Sequence, residues 1–173
     1  MKYALLLAAL ALSACGAKKP SADGGQPLGD GGVGMTLRET NLSHNHVSTC
    51  DDPTCGNGMN PPLGGDHCPV WLNCRVFDTA QPKCNWIHNL EHGALVMTYN
   101  CSGAGCDTLV QQLKDYQATH TDALVTPDPE LTDVVAVMVW GFGWEGNGFN
   151  KAAFDEVASH QGAESPEHIA CSP

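Results

Sequence analysis

Apolar residues are grouped along the chain in runs whose spacing predicts strands and helices in alternation. Residues 132–140 form a nearly continuous β-branched and apolar run, the pattern of a central strand that is covered on both faces. Shorter runs at residues 94–99 and 70–77 predict two further strands. Residues 43–66 are rich in Pro, Gly, Asn and Cys, so we expect this segment to be irregular.

Two helices are predicted beside these strands. Asp107 is placed to cap the first helix, and Asn150 to cap the second, where Phe149 and Phe154 can form a hydrophobic staple. The apolar face of the first helix comprises Leu109, Val110, Leu113 and Tyr116. The order strand, helix, strand, helix predicts an α+β fold, a compact α/β two-layer sandwich that forms one small domain.

The N-terminus predicts export and lipidation. Lys2 precedes an apolar stretch over residues 4–12, which is too short to cross a membrane. The sequence Leu-Ser-Ala-Cys at residues 12–15 resembles a bacterial lipobox, and the resemblance implies cleavage before Cys15 and diacylation of its thiol. Residues 1–14 would then be a lipoprotein signal peptide. The alternatives are an ordinary secretory signal or a helix of the core.

The residues after Cys15 predict a tether and a location. Gly16 stands where some sorted lipoproteins carry Asp, and by resemblance to them it implies the outer membrane of the cell envelope. Residues 15–35 are rich in Gly and have little to bury, so we expect a lipid anchor and flexible tether there. Residues 36–173 would form the folded domain.

Charge and hydropathy limit the partners of the protein. The chain has 19 acidic and 8 basic residues, a formal net charge of −11, which disfavours contact with nucleic acid. Beyond the first 15 residues no apolar run is long enough to span a bilayer. We therefore expect membrane contact through the N-terminal lipid, and the sequence identifies no protein partner.

Cysteine is unusually frequent. Without Cys15, eight of the nine Cys remain: Cys50, Cys55, Cys68, Cys74, Cys84, Cys101, Cys106 and Cys171. An even number outside the cytoplasm predicts up to four disulfides. The pairs Cys50–Cys55 and Cys101–Cys106 would each close a short, turn-rich loop. Thiolate metal ligation is the alternative, but no Cys-x-x-Cys pair occurs.

The segment from His88 to Gly93 carries the strongest chemical signal. Its H-x-x-E-H spacing is that of inverted zinc metalloproteases, with His88 and His92 as ligands on one helix face and Glu91 as general base. Because Gly93 follows at once and a strand pattern begins at Ala94, we expect at most a turn or so of helix. A zinc hydrolase is therefore the weaker interpretation of this motif.

Together with an upstream segment, this motif resembles the domain-of-unknown-function family number 3105, whose members carry PP-x-x-G-x-H, then aromatic residues, then H-x-L-E-H-G. The matching residues are Pro61, Pro62, Gly65, His67, Trp71, Phe77, His88, Leu90, Glu91, His92, Gly93, Trp140, Gly141, Pro166 and Glu167. The family has no settled activity. The chain departs from its pattern at Cys68, Cys74 and Cys84, which leaves open a thiolate beside His67.

The same residues predict a metal site. His67, His88 and His92, with Glu91 as a further ligand or acceptor, suit zinc or copper. His46, which His44 precedes, can add a nitrogen from the N-terminal side. The alternative is a structural network in which Glu91 orients its histidine neighbours.

Other candidate residues are weaker. Met97 and Met138 are possible copper ligands, although we expect them to fill the core. We expect the remaining histidines, at positions 120, 160 and 168, to be solvated. Residues 141–148, rich in Gly and aromatic residues, read as a loop that could wall a site.

The leading hypothesis is a lipid-anchored extracytoplasmic protein that binds copper or zinc for metal handling or sensing at the cell envelope. A structural or partner-binding envelope lipoprotein without metal is the alternative, and a zinc-dependent hydrolase is the weaker one.

Overall fold

The structure, a computed structural model, describes residues 31–169 and 171. Its elements are β1 (Gly34–Arg38), α1 (Lys83–Glu91), β2 (Leu95–Tyr99), α2 (Ala104–Gln117), β3 (Ala123–Pro127), β4 (Val135–Val139), β5 (Phe142–Gly146) and α3 (Lys151–Ser159). The predicted signal peptide, Cys15 and the tether up to residue 30 lie outside the described residues.

The strands form one five-stranded sheet in the order β1-β5-β4-β2-β3. β2 and β3 run parallel and are joined across one face by α2, whereas the other neighbouring strands are antiparallel. The two-residue turn between β4 and β5 has Gly141 at φ 76°, a conformation that glycine adopts without steric cost. The predicted α+β class and single small domain are confirmed, and β4 is the central strand.

The central strand is apolar throughout because both faces of the sheet are covered. Val135, Val137 and Val139 join the core beneath α2 and α3. Ala136 and Met138 join a second core on the other face, which α1 and the irregular segments around it complete. This alternation explains why the run at 132–140 shows no polar side.

One predicted strand is absent, and three strands are present that the sequence did not predict. Residues 70–77 form no strand, and Val76 alone makes a bridge, to Val125. β1 and β3 have no strong sequence signal, and β5 lies in the segment interpreted as a loop. Phe142 and Trp144 of β5 are packed in the core beneath α2 and α3, on the sheet face opposite to α1, so these residues form a strand and not a loop. Two glycines, Gly143 and Gly146, lie within this five-residue strand, and a glycine-rich segment is typical of a turn rather than of a strand interior.

Hydrogen bonds attach the described part of the chain to the domain from Gly31 onward. The backbone N–H groups of Gly31 and Gly32 donate to the carbonyl oxygen of Phe149, at 3.1 and 3.0 Å. β1 then pairs with β5 from Gly34 to Arg38. The sheet thus includes the last residues of the segment assigned to the tether. Among residues 31–169, no helix is long and apolar enough to cross a membrane.

The cysteines pair as four disulfides: Cys50–Cys68, Cys55–Cys84, Cys74–Cys171 and Cys101–Cys106. The predicted Cys101–Cys106 pair is confirmed, and the Cys50–Cys55 pair is wrong. A backbone bridge from Gly56 to Asp66 folds the irregular segment back on itself, and this brings Cys50 to Cys68 rather than to its sequence neighbour.

The longest disulfide loop fixes the C-terminus. Cys74 and Cys171 are 97 residues apart, and on the loop-entropy model a link of that length stabilises the fold by about 4.7 kcal/mol. The 18-residue separation of Cys50 and Cys68 corresponds to about 3 kcal/mol. Because Cys68 is oxidised, a thiolate ligand beside His67 is not available.

Glu145 on β5 provides a test of the sheet's electrostatics. Its Oε2 is buried without a hydrogen-bond partner among the described residues, and burial, followed by the charge of Asp133, raises the pKa of its carboxyl. The folded state therefore holds its proton more tightly than the unfolded state. Stability is lost as pH rises from the ordinary pKa through the raised one.

We expect Glu145→Gln to raise the melting temperature at pH 7 by about 2–4 °C and to give no gain near pH 4. Thermal unfolding followed by circular dichroism measures both values. The matched control is Glu156→Gln, which removes the same charge from an exposed position on α3. Equal shifts in the two variants would mean that net charge alone, and not the buried carboxylate, is responsible.

Candidate metal centre

α1 lies between the sheet and the irregular segments and is enclosed on all sides. Every residue from Cys84 to Glu91 is buried. The helix ends at Glu91 with His92 as its C-cap, and Gly93 then adopts φ 90°, which stops it. The helix has nine residues, so the expectation of about one turn is wrong, because Gly93 sets only its end and the helix extends back to Lys83.

A turn that contains Gly65 places His67 beside this helix. Gly65 has φ 118°, and a Cβ added there would lie 2.4 Å from the carbonyl carbon of Gly56. The close approach lets the backbone N–H of Gly56 donate to the Asp66 carbonyl at 2.7 Å. The motif glycine is therefore needed both for its backbone angle and for the absence of a side chain.

A second backbone bridge places His46 beside His67. The N–H of Val47 donates to the His67 carbonyl at 2.7 Å, and the N–H of His67 donates to the Asn45 carbonyl at 3.1 Å. The two imidazole rings lie edge to face with centroids 5.0 Å apart. His46 is exposed and His67 is fully buried, so this pair connects the interior to the surface.

Four side chains converge between this bridge and α1. One ligand atom each from His46, His67, His88 and Glu91 lies within 4.8 Å of the other three. Glu91 Oε2 lies 2.9 Å from His67 Nε2 and 3.7 Å from His88 Nε2. A tetrahedral zinc ion with bonds of about 2.1 Å separates its ligand atoms by about 3.4 Å. The cluster therefore has nearly the dimensions of a metal coordination sphere.

The two buried imidazoles are oriented by backbone carbonyls. His67 Nδ1 lies 2.9 Å from the Gly65 carbonyl oxygen, and His88 Nδ1 lies 2.7 Å from that of Cys68. A carbonyl oxygen only accepts, so both Nδ1 atoms carry the proton and donate. In a neutral ring Nε2 then presents a lone pair, and both Nε2 atoms lie near Glu91. His67 Nε2 is buried without a hydrogen-bond partner among the described residues, although Glu91 Oε2 lies 2.9 Å away.

Burial keeps His88 neutral. Loss of solvation lowers the pKa of His88 to about 4, against the opposing effect of its hydrogen bond to Cys68, and the neighbouring histidines lower it further. Burial also lowers the pKa of His92, although Glu167 and Glu91 oppose the shift. Both imidazoles are therefore available as metal ligands at neutral pH.

The structure places the remaining predicted ligand slightly apart. The group of four that converges on Glu91 contains His46, His67 and His88 but not His92. We call these four residues the first group. Instead, His92 forms a second group with Glu91 and Glu167, and its Nε2 lies 3.4 Å from Glu167 Oε2. His44, on the exposed side, has Nδ1 3.4 Å from Glu91 Oε1.

Two asparagines and one tryptophan support the site through contacts that the sequence did not predict. The side chain of Asn89 donates to and accepts from the backbone of Leu72, at 2.8 and 2.9 Å, and Asn85 donates to the Val70 carbonyl at 2.9 Å. The segment held in this way places the Trp71 ring 5.2 Å from His88 and 4.8 Å from His92, centroid to centroid. The i, i+4 spacing of the two asparagines on one helix was the available signal.

The weaker candidates lie elsewhere. Met97 and Met138 are fully buried in opposite cores, as filling residues would be. The ring of His120 stacks on Tyr116, and His160 packs on Phe142. His168 is exposed near Gly162.

Gly65 offers a direct test of the turn. Gly58→Ala serves as matched control, because Gly58 also has a left-handed backbone, φ 83°, but nothing lies within 4 Å of an added Cβ. We expect Gly58→Ala to lower the free energy of unfolding by about 1–2 kcal/mol. Gly65→Ala should lower it by at least about 2 kcal/mol more, because its Cβ meets backbone atoms. Equal losses, measured by guanidinium unfolding, would contradict the role given to Gly65.

Comparison with known proteins identifies a family and no activity. No curated protein and no solved structure matches the chain. The sequence model of one family, described as "Protein of unknown function (DUF3105)", matches residues 46–173. This range begins at the exposed histidine of the cluster and includes His67, α1 and Glu167. The chain belongs to the DUF3105 family.

Proposed function

We propose that this protein binds a copper or zinc ion through His46, His67, His88 and Glu91, and that it serves metal handling or sensing at the cell envelope. The observation that carries the proposal is the orientation of His67 and His88. Each donates Nδ1–H to a backbone carbonyl, so that each aims Nε2 toward the same carboxylate.

Lone pairs and a carboxylate facing one another in a buried space repel unless a cation lies between them. A proton can lie between one pair of atoms only, whereas a metal ion accepts all of them at once. Backbone carbonyls that fix the tautomer of a ligating histidine are a regular feature of metal sites. The arrangement around Glu91 therefore supports a metal ion more strongly than a structural hydrogen-bond network.

The donor set narrows the choice of ion. Three imidazole nitrogens and one carboxylate oxygen suit Zn²⁺ and Cu²⁺, and they suit Ca²⁺ or Mg²⁺ poorly. All eight cysteines at positions 50–171 are paired, so no thiolate competes for a softer ion. By the general order of stabilities for divalent ions, Cu²⁺ should bind more tightly than Zn²⁺.

The geometry favours ion binding over the hydrolase alternative. A hydrolytic Glu91 would have to hold a water molecule beside the metal as general base. In the structure its Oε2 lies among the candidate ligand atoms, 2.9 Å from His67 Nε2. This position supports a role for Glu91 as a ligand of the ion rather than as a base.

Metal binding can be tested with variants that keep the local hydrogen bonds. In His67→Asn and His88→Asn, the amide nitrogen replaces Nδ1 as donor to the backbone carbonyl, while the Nε2 ligand is lost. Since removing even a supporting residue of a metal site costs about 10–100-fold in affinity, we expect each variant to lose at least about 100-fold. Titration calorimetry with Zn²⁺ and Cu²⁺ on untagged, oxidised protein gives the affinities.

The control for these variants is His160→Asn, which changes a histidine packed on Phe142, away from the site. It should bind metal as the wild type does. If the wild-type protein binds neither ion, or if His67→Asn and His88→Asn bind as tightly as the control, the metal proposal is wrong. Lowered thermal stability with no metal effect would then support the structural network.

The envelope location rests on residues 12–15, whose lipobox-like sequence supports export and lipidation. We expect the mature protein from bacterial membranes to begin at Cys15 and to carry a diacylglycerol on its thiol. Mass spectrometry of the N-terminal peptide detects this modification, and Cys15→Ala should abolish it. A mature, unmodified N-terminus at any other residue would exclude the lipoprotein assignment.

A further inference from the structure

A second group of ligand atoms lies directly beside the first. Glu91, His92 and Glu167 each offer an atom within 4.8 Å of the other two. His92 is 5% exposed, and its Nε2 lies 3.4 Å from Glu167 Oε2. A buried imidazole that lies beside two carboxylates has the surroundings of a metal ligand.

The third member of this group is fixed through its backbone. Glu167 exposes half of its side chain, but its N–H donates to the Glu91 carbonyl at 3.1 Å. Two residues later the N–H of Ile169 donates to the His92 carbonyl at 3.2 Å. The Cys74–Cys171 disulfide then ties the segment to the domain. The C-terminal segment is therefore aligned along the end of α1, with Glu167 beside His92.

Glu91 belongs to both groups and can be shared between them. Its Oε2 faces His67 and His88, while its Oε1 is the oxygen nearer to His44, at 3.4 Å. A carboxylate with its two oxygens directed differently can bridge two ions, and ions bridged in this way lie about 3.5–4 Å apart. The rings of His88 and His92, one in each group, have centroids 4.4 Å apart.

We propose that the cluster is a two-ion centre in which His92 and Glu167 hold a second divalent transition-metal ion and Glu91 bridges it to the first. This inference rests on the proposed function, because Glu91 joins the two ions. One nitrogen and two carboxylate oxygens from the chain suit Zn²⁺, Co²⁺ or Cu²⁺ and leave coordination positions for water or an anion.

The second ion is the accessible one. His92 also lines a cleft of about 520 Å³, together with Gly93, His120, Asp122, His168 and Ile169. The first ion has four ligands from the chain, three of them buried, whereas the second has three, one of which is half-exposed. The second ion should therefore bind more weakly and exchange first, and a ligand from solution would reach it through the cleft.

Titration of the untagged, oxidised chain with Cu²⁺, followed by electron paramagnetic resonance, separates the two ions. The first equivalent should give a full mononuclear signal. The second equivalent should broaden or diminish that signal instead of doubling it, because two Cu²⁺ ions about 4 Å apart couple magnetically. Titration calorimetry with Zn²⁺ should show a second, weaker event.

Glu167→Gln should remove the second event and keep the first, with the mononuclear signal intact. The matched control is Glu164→Gln, which removes a charge from a neighbouring exposed glutamate that pairs with Arg38 and should retain both events. His92→Gln gives an independent test of the same ion. Loss of the second event in both Glu167→Gln and His92→Gln, with the first retained, is the expected result.

The two-ion centre is wrong if the wild-type protein binds only one equivalent and its electron paramagnetic resonance signal does not change after that equivalent. The proposed function would then still stand. Two events that persist in Glu167→Gln and His92→Gln would also overturn it, since the second ion would then lie elsewhere. Absence of any bound ion would instead overturn the proposed function.

Discussion

The histidine cluster depends on one pair of interactions, the hydrogen bonds from the Nδ1 atoms of His67 and His88 to the backbone carbonyls of Gly65 and Cys68. These bonds fix which nitrogen of each ring carries the proton. They also fix each ring's orientation, so that both Nε2 atoms approach Glu91. Without a cation, this arrangement places electron pairs against a buried carboxylate. The proposed metal ion would bind these electron pairs and neutralise the carboxylate.

The rest of the structure keeps that arrangement from relaxing. Irregular backbone would normally move to separate facing lone pairs, but disulfides link Cys50 to Cys68, the neighbour of His67, and Cys55 to Cys84 on α1. Gly65 lets two chain segments approach closely behind His67. Because these covalent and steric constraints do not depend on the ion, the ligands can be held ready before it binds. Oxidation of these four cysteines is thus also a condition for the site.

The sequence predicted several parts of the fold whose signals are local, although Asp107 does not cap α2, which begins directly after Gly103. The apolar run that contains β4, the cap of α3 at Asn150 and the staple of Phe149 on Phe154 all depend on neighbours in the chain, and each is present. β5 differs from the prediction because glycines within and beside the strand make the segment resemble a turn. The length of α1 was misjudged from the glycine at its end.

The candidate ligands were predicted from residue type, but their grouping was not. His88 and His92 lie together at one end of α1, yet His46 and not His92 completes the first group. Its place depends on the backbone bridge between residues 46 and 67, which no local spacing reveals. The same holds for Cys50, whose partner is set by the path of the irregular segment. Glu167 matched the family pattern, but its place beside His92 follows from the Cys74–Cys171 link and from the backbone bonds at Glu91 and His92.

X-ray absorption spectroscopy at the zinc edge tests the central claim most directly, on oxidised protein loaded with one equivalent of Zn²⁺. The account predicts a first shell of nitrogen and oxygen atoms at about 2.0–2.1 Å, with the outer-shell scattering of about three imidazole rings and no sulfur. A sulfur shell at about 2.3 Å, or an oxygen shell without imidazole scattering, would contradict it.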